Sequence, residues 1–500
     1  MLLALSGVCL LLHCLANAFT AYGYFRDELY YIACSEHPAL GYVDQPPLSI
    51  WILSVSRFLI GDSLFALRLP AALAAAATVL LSGMTARELG GGLLAQGLAA
   101  IAVIVSPIYL SMCTFYSMNS IDILIWTCVA YTLTRLIRTE RPRYWIALGI
   151  LLGLGLLNKI SVLWLGAGFA TGTLFSPMRK WYRTPWPWVA AGVALLFFAP
   201  YVIWNFQHDF ADLEFIRNAS SRKYGGVSAW DFLGGQVLLN NPPSLPLWIA
   251  GLWFYFAGRQ NVFRPLGFLY AIPLLILVVN GHSKPEYLSP AYAMLFAGGS
   301  VFAEGLAVTT LRRRLFMSYA PLLIVSGCLL APLAMPLLPV DTYIRYAALI
   351  GLRPGNAEGK QLSDLPQFYA DMFGWKEKAD AVARVYNTLS PEEKAKCAIY
   401  SDNYGRCAAI DFFGARNGLP KSIGGHNNYW LWGPRGCTGD IVIILGGNAE
   451  DHKRSFESVV VVDSVSAPHC MPYENNLKIT ICRKLREPLT SVWPRIKLFI

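Results

Sequence analysis

The sequence predicts a polytopic α-helical membrane protein with a C-terminal soluble domain of mixed α and β structure. Three observations carry that reading. Of 500 residues, 55% are hydrophobic and only 14% charged, against about 25% charged in an average soluble domain. The apolar residues gather in runs of roughly 20, the length that crosses a bilayer, and these runs fill the first two thirds of the chain. Beyond residue 340 the runs shrink to strand length. The net charge of +10 does not point to nucleic acid. Most of the excess Lys and Arg sits between apolar runs, where the positive-inside rule places it.

Spans are expected at 2–20, 63–86, 92–112, 121–138, 144–158, 160–177, 186–204, 236–257, 265–280, 288–309 and 316–338, about eleven in all. The opening segment carries Ala16-Asn17-Ala18, which resembles a signal-peptide cleavage site. No basic stretch precedes its apolar run and further spans follow, so it reads as a retained first helix. Five basic groups fall between alternate spans: Arg87; Arg135, Arg138, Arg141 and Arg143; Arg179, Lys180 and Arg183; Arg259 and Arg264; and Arg312, Arg313 and Arg314. All land on one side, the expected cytoplasmic side. The N-terminus is then cytoplasmic, and the loop 21–62, the turn at 158–159, the loops 205–231 and 282–287 and everything after 339 lie outside. The domain division follows: a membrane domain at 1–339 and an extracytoplasmic α/β domain at 340–500. A multi-pass protein of a bacterial inner membrane fits this layout.

Within the loop 21–62, residues 28–36 and 46–59 have helical composition but are too short to span. Pro46-Pro47 suits the first turn of the second helix, whose apolar residues suit the membrane interface. In 340–500, strands are expected at 397–401, 440–447, 458–465 and 477–485, and helices at 365–389 and 403–416. Gly424-Gly425 and Gly446-Gly447 read as turns, and neither follows a phosphate-loop pattern. Five of the eleven cysteines lie here, and export of the domain makes one or two disulfides the expectation. No Cys/His spacing suggests zinc. Asn218-Ala219-Ser220 is a formal glycosylation triplet.

Candidate chemistry concentrates in 22–49, where Arg26, Asp27, Glu28, Glu36, His37 and Asp44 follow the first span among aromatic side chains. Asp27 and Glu28 are either solvated loop carboxylates or groups that accept a proton or stabilise charge on a sugar ring. Asp44 reads as a helix cap, as a site residue, or as both. Asp122 lies near the start of an apolar helix, where an acidic residue is costly and marks function by default; capping is its bland alternative. Lys159, and the segment holding His282, Lys284 and Tyr287, supply cationic groups suited to a lipid phosphate. His208, Arg217, Arg222 and Lys223 form a further group without a ranking.

These motifs in this order resemble the GT-C type glycosyltransferases that use lipid-linked sugars: an acidic pair after the first helix, an acidic residue before Pro-Pro-Leu, a helix-start Asp, Gly-Leu-Gly-Leu-Leu-Asn-Lys ending at Lys159, and Lys284-Pro-Glu-Tyr-Leu-Ser-Pro. They are similar to the bacterial enzymes related to protein O-mannosyltransferases and to the aminoarabinose transferase of lipid A. The resemblance covers 1–340. It implies a multi-helix fold with an outer-face active site and transfer of a sugar from a polyprenyl-phosphate donor, usually with inversion, to a protein, lipid or glycan. It places Asp27 as base, Glu28 as its neighbour and Asp122 as a second site aspartate. It places Lys159 and the Lys284/Tyr287 motif where such enzymes meet the donor phosphate or close the cavity; Asp44, Arg26 and His282 are expected substrate-binding positions from the residues themselves. No cofactor is expected, and a divalent metal is left open. Two positions depart from the pattern: Gln45 stands where relatives carry a lysine, and Tyr30 where they carry an arginine. Lys159, Lys284 or Arg26 would have to compensate. A transporter of lipid-linked sugars is the competing reading; it would favour repeated halves and midplane polar sites, and the sequence shows neither.

Overall fold

The structure, a computed structural model, describes residues 1–222, 225–257, 261–307, 309–351 and 361–500. Lys223 and Arg259 lie outside the described residues. The first two thirds form helices α1 (Leu2–Phe19), α2 (Arg26–Ser35), α3 (Leu48–Ile60), α4 (Leu64–Glu88), α5 (Leu93–Ile104), α6 (Pro107–Met112), α7 (Met118–Thr139), α8 (Arg143–Asn158), α9 (Val162–Leu174), α10 (Trp186–Gln207), α11 (Ala211–Arg222), α12 (Ala229–Leu239), α13 (Leu245–Phe256), α14 (Arg264–Asn280), α15 (Tyr292–Leu306), α16 (Thr310–Ala334) and α17 (Val340–Leu349). Among the described residues, five helices are individually long and apolar enough to cross a membrane: α1, α4, α7, α10 and α16. Shorter apolar helices, including α5, α8, α9 and α14, pack with them.

Most expected spans appear with ends shifted by a few residues. Two are broken. The run 92–112 divides into α5 and α6 at Ser106-Pro107, where Ser106 is extended, as steric pressure from the following proline requires. The run 236–257 divides into α12 and α13 at Asn240-Asn241-Pro242-Pro243, with Asn241 at φ 65. Hydrophobicity runs on through the first break, so composition alone overstates helix length there; the second falls on the polar, Pro-rich stretch 240–244. The helices α11 and α17 were not expected. Helices α13 and α15 approach closely because Gly251 and Gly299 carry no side chain: a Cβ on Gly299 would sit 1.9 Å from the Leu247 carbonyl oxygen. Small residues at such contacts let backbones meet in membrane bundles.

In the C-terminal third, α18 (Gln367–Ala370), α19 (Trp375–Asn387), α20 (Pro391–Lys396), α21 (Tyr404–Phe413), α22 (Asn428–Leu431), α23 (Ala449–Ser455) and α24 (Leu489–Val492) surround a small sheet. Its strands β1 (Cys397–Tyr400), β2 (Ile441–Leu445), β3 (Phe456–Val465) and β4 (Leu477–Leu485) run in the order β1-β2-β4-β3. The β1–β2 pair is parallel and the other two antiparallel. The expected helix 365–389 is interrupted by Gly374 at φ 83, the N-cap of α19. All eleven cysteines are unpaired, so the expected disulfides do not form. The Asn218 amide donates to the Phe499 carbonyl at 2.8 Å, which ties it to the chain's last residues.

A buried charge cluster anchors this region. The Glu474 carboxylate accepts from Arg406 Nε at 2.9 Å and lies 3.2 Å from Lys378 Nζ, with both Glu474 and Lys378 side chains 1% exposed. Burial pushes the Glu474 carboxyl up, but Arg406 and Lys378 outweigh it and hold the group below the ordinary value of 4.5. A depressed folded-state value means that the unfolded chain binds the proton more readily. The cluster's stabilisation is therefore present above about pH 4.5 and is lost as pH falls through the folded-state value. Thermal unfolding in detergent is expected to show an acid-dependent drop in wild type below that pH, and a flatter profile with a lower neutral Tm in Glu474→Gln.

Candidate active site

The loop after α1 meets the start of α2 at Phe25, whose backbone N–H donates to Glu28 Oε2 at 2.8 Å. Successive helical residues point about 100° apart, so the two acidic neighbours diverge. Asp27 lines a cavity of about 560 Å³. Glu28 turns into the bundle, where Arg68 of α4 donates to it from Nε and Nη2, each at 2.8 Å, and Tyr116 N–H donates at 2.8 Å. Glu28 and Arg68 are both 0% exposed. Glu28, expected at a catalytic position, thus does not line the cavity: its oxygens join α2, α4 and the turn before α7.

Around the cavity, Arg26, Asp27, Asp122, Lys159, Lys284 and Tyr287 come together from α2, α7, the end of α8 and the turn before α15. Asp122 lies in the first turns of α7, behind the Ser117 cap. Its Oδ2 is 3.8 Å from Lys159 Nζ and accepts from Ser161 at 3.5 Å. Lys159 ends α8 in extended conformation, donates to Asn119 Oδ1 at 2.7 Å and stands 5.4 Å from the Tyr287 ring centroid. Lys284 caps the 3-10 turn Pro285–Ala291 and reaches the same cavity.

The sequence reading missed the C-terminal contribution. Asp371 and Tyr404 line the cavity as well. Tyr404 donates to Asp27 Oδ1 at 2.7 Å, and Arg26 spans 3.5 Å to Asp371 and donates to the Tyr473 hydroxyl at 3.2 Å. Burial disfavours charge on Arg26, but Asp371, Tyr404 and Asp27 outweigh it and hold the guanidinium well above its ordinary value. Burial likewise pushes the Tyr404 hydroxyl well above the tyrosine range, opposed by Arg26 and reinforced by Asp27. Tyr404 therefore keeps its proton and acts as a donor.

Besides Glu28, two expected positions do not line the cavity. Asp44 accepts from Tyr30 at 3.0 Å and sits where Val43 N–H meets Asn428, at the seam with α22. His282 is exposed on the turn after α14. Gln45 is buried and also outside the cavity, so neither departure from the family pattern touches the cavity wall, whereas Arg26, Lys159 and Lys284 do. Among the described residues no three His, Cys, Asp or Glu side chains gather to hold a metal ion. A second, largely apolar cavity of about 300 Å³ lies against β1 and β2 and contains none of these groups.

Residues 44–204 match the family described as dolichyl-phosphate-mannose-protein mannosyltransferase. No curated protein matches the chain in sequence. The crystal structure of ArnT from Cupriavidus metallidurans bound to undecaprenyl phosphate shares the fold, with TM-score 0.63 and 13% identity over 96% of this chain and 97% of that one. Its apo structure matches equally, at TM-score 0.63. A family match across the first half of the bundle and a shared fold along almost the whole chain converge with the order of the motifs: the chain resembles the GT-C glycosyltransferases that use polyprenyl-phosphate-linked sugars.

Proposed function

We propose that this protein is a membrane glycosyltransferase that moves a sugar from a polyprenyl-phosphate donor to a hydroxyl acceptor. The observation that carries the reading is the single cavity in which the Asp27 carboxylate shares a wall system with Arg26, Lys159 and Lys284. A carboxylate suits proton abstraction, and cations suit a phosphate leaving group. The acceptor oxygen attacks the anomeric carbon, its proton passes to Asp27, and the bond from that carbon to the phosphate oxygen breaks. The electron pair stays on the polyprenyl phosphate, already a stable anion, so Lys159 and Lys284 need only neutralise charge. Asp122 holds Lys159 in place. Attack opposite the leaving phosphate inverts the anomeric centre. The step balances without a cofactor.

The placement of the basic loops supports a cavity on the outer face of a bacterial inner membrane, with the N-terminus inside and the region after 339 outside. The match to a structure bound to undecaprenyl phosphate supports a prenyl carrier of that class, and membrane lipids surround the bundle. The acceptor is a protein, lipid or glycan. Asp44, His282 and Glu28 take no direct part in this scheme. A transporter would need no base against the donor's phosphate cradle, so the enzyme is the favoured reading. The test is incubation of purified protein with a synthetic polyprenyl-phosphate sugar labelled in the sugar: the label is expected to leave the lipid, and a donor that stays intact with every acceptor class would contradict the proposal. Lys159→Met and Lys284→Met are each expected to weaken binding of sugar-free polyprenyl phosphate about 10-fold or more, the worth of one charge-assisted hydrogen bond. Titration by intrinsic tryptophan fluorescence reads that change.

A further inference from the structure

Tyr404 is 377 residues from Asp27 in sequence, yet its hydroxyl donates to Asp27 Oδ1 at 2.7 Å. We infer that Tyr404 is the positioning residue of the base, so that the C-terminal region completes the active site. This rests on the reading of Asp27 as the group that takes the acceptor proton.

The geometry is specific to the hydroxyl. The ring is held by Tyr30, at 4.7 Å between centroids, by His426 at 4.8 Å and 70°, and by Arg26 at 5.5 Å. A phenylalanine would keep all three contacts. What it would lose is the bond to Asp27. Helix α21 is brought up to α2 by the residue after Tyr404: a Cβ on Gly405 would lie 2.5 Å from Arg26 Cγ. The Asn403 side chain caps α21 by accepting from the Gly405 and Arg406 N–H groups. Tyr404 thus starts a capped helix docked on the base's own helix.

Among the described residues, Tyr404 and Arg26 Nε, the latter at 3.4 Å, both donate to Asp27 Oδ1. Oδ2 is the oxygen left to face the acceptor. The bond from Tyr404 fixes the rotation that presents Oδ2 to the cavity. The other groups around the pair are Arg26, Tyr30 and Tyr31 on α2, Asp44 before α3, Asp371 after α18, His426 before α22, and Tyr473 before β4; Asp122 and Lys159 from α7 and α8, and Lys284 and Glu286 from the turn before α15, face it across the cavity.

The experiment measures kcat and donor KM of full-length Tyr404→Phe beside wild type and Asp27→Asn, with thermal unfolding of each. The expected result is a kcat about 10-fold lower, the worth of one charge-assisted hydrogen bond, with an unchanged donor KM and an unchanged Tm, and Asp27→Asn inactive. A wild-type kcat in Tyr404→Phe with Asp27→Asn inactive would overturn the positioning role and leave the base assignment standing. A loss of kcat accompanied by a lower Tm would also overturn it, assigning the tyrosine to folding. Full activity in Asp27→Asn would remove the base assignment and this inference together.

Discussion

Asp27→Asn is expected to lower sugar transfer about 10²–10⁴-fold while leaving the affinity for polyprenyl phosphate within about twofold of wild type. The amide is isosteric and still accepts from Tyr404 and Arg26 through its oxygen, so the local packing persists. It cannot take a proton from the acceptor hydroxyl. On the proposed scheme affinity is set elsewhere in the cavity, by Lys159, which pairs with Asn119 and Asp122, and by Lys284. Single-turnover transfer and a separate binding titration distinguish the two quantities. Wild-type turnover in this variant at wild-type expression would contradict the base assignment; a parallel loss of binding would show that Asp27 holds the donor instead.

Glu28→Ala is expected to destabilise the protein by about 3–5 kcal/mol, the cost of leaving one partner of a buried ion pair alone. Arg68 is fully buried in α4 and gives two of its guanidinium hydrogen bonds to Glu28. Removing the carboxylate strands that charge and also frees the Phe25 and Tyr116 N–H groups. Replacing both partners, as in Glu28→Leu with Arg68→Leu, is expected to recover part of the loss, because the stranded charge goes as well. Thermal unfolding in detergent reads both. A Glu28→Ala protein of wild-type stability but without activity would contradict the structural role and return Glu28 to the chemistry.

The adjacent acidic residues Asp27 and Glu28 thus face different surroundings, one the cavity and one the buried Arg68, and the reason is helical phase. From sequence the two looked alike, since both stand after the first span among aromatics. The partner that separates them, Arg68, was itself visible as a lone arginine within an apolar run, where a buried charge must be matched. Its match to Glu28 is a contact over 40 residues that periodicity does not encode. The bundle was legible because apolar runs report burial directly, whereas the break at Pro107 shows that hydropathy can continue where the backbone does not. The sheet was legible from short β-branched runs. Asp27, Asp122, Lys159 and Lys284 were legible because ionisable groups at the ends of apolar helices are costly and few. Tyr404 and Asp371 were not. Each is an ordinary residue in a soluble region, and only the docking of α21 and the Asp371 turn against α2 turns them towards the cavity.

The most direct measurement places the purified protein in liposomes with a labelled polyprenyl-phosphate sugar and follows the sugar and the lipid separately. The glycosyltransferase account predicts that sugar-free polyprenyl phosphate appears in step with labelled acceptor in wild type, and that neither appears with Asp27→Asn. Intact donor crossing between leaflets, with no sugar-free lipid formed, would contradict it and establish a transporter.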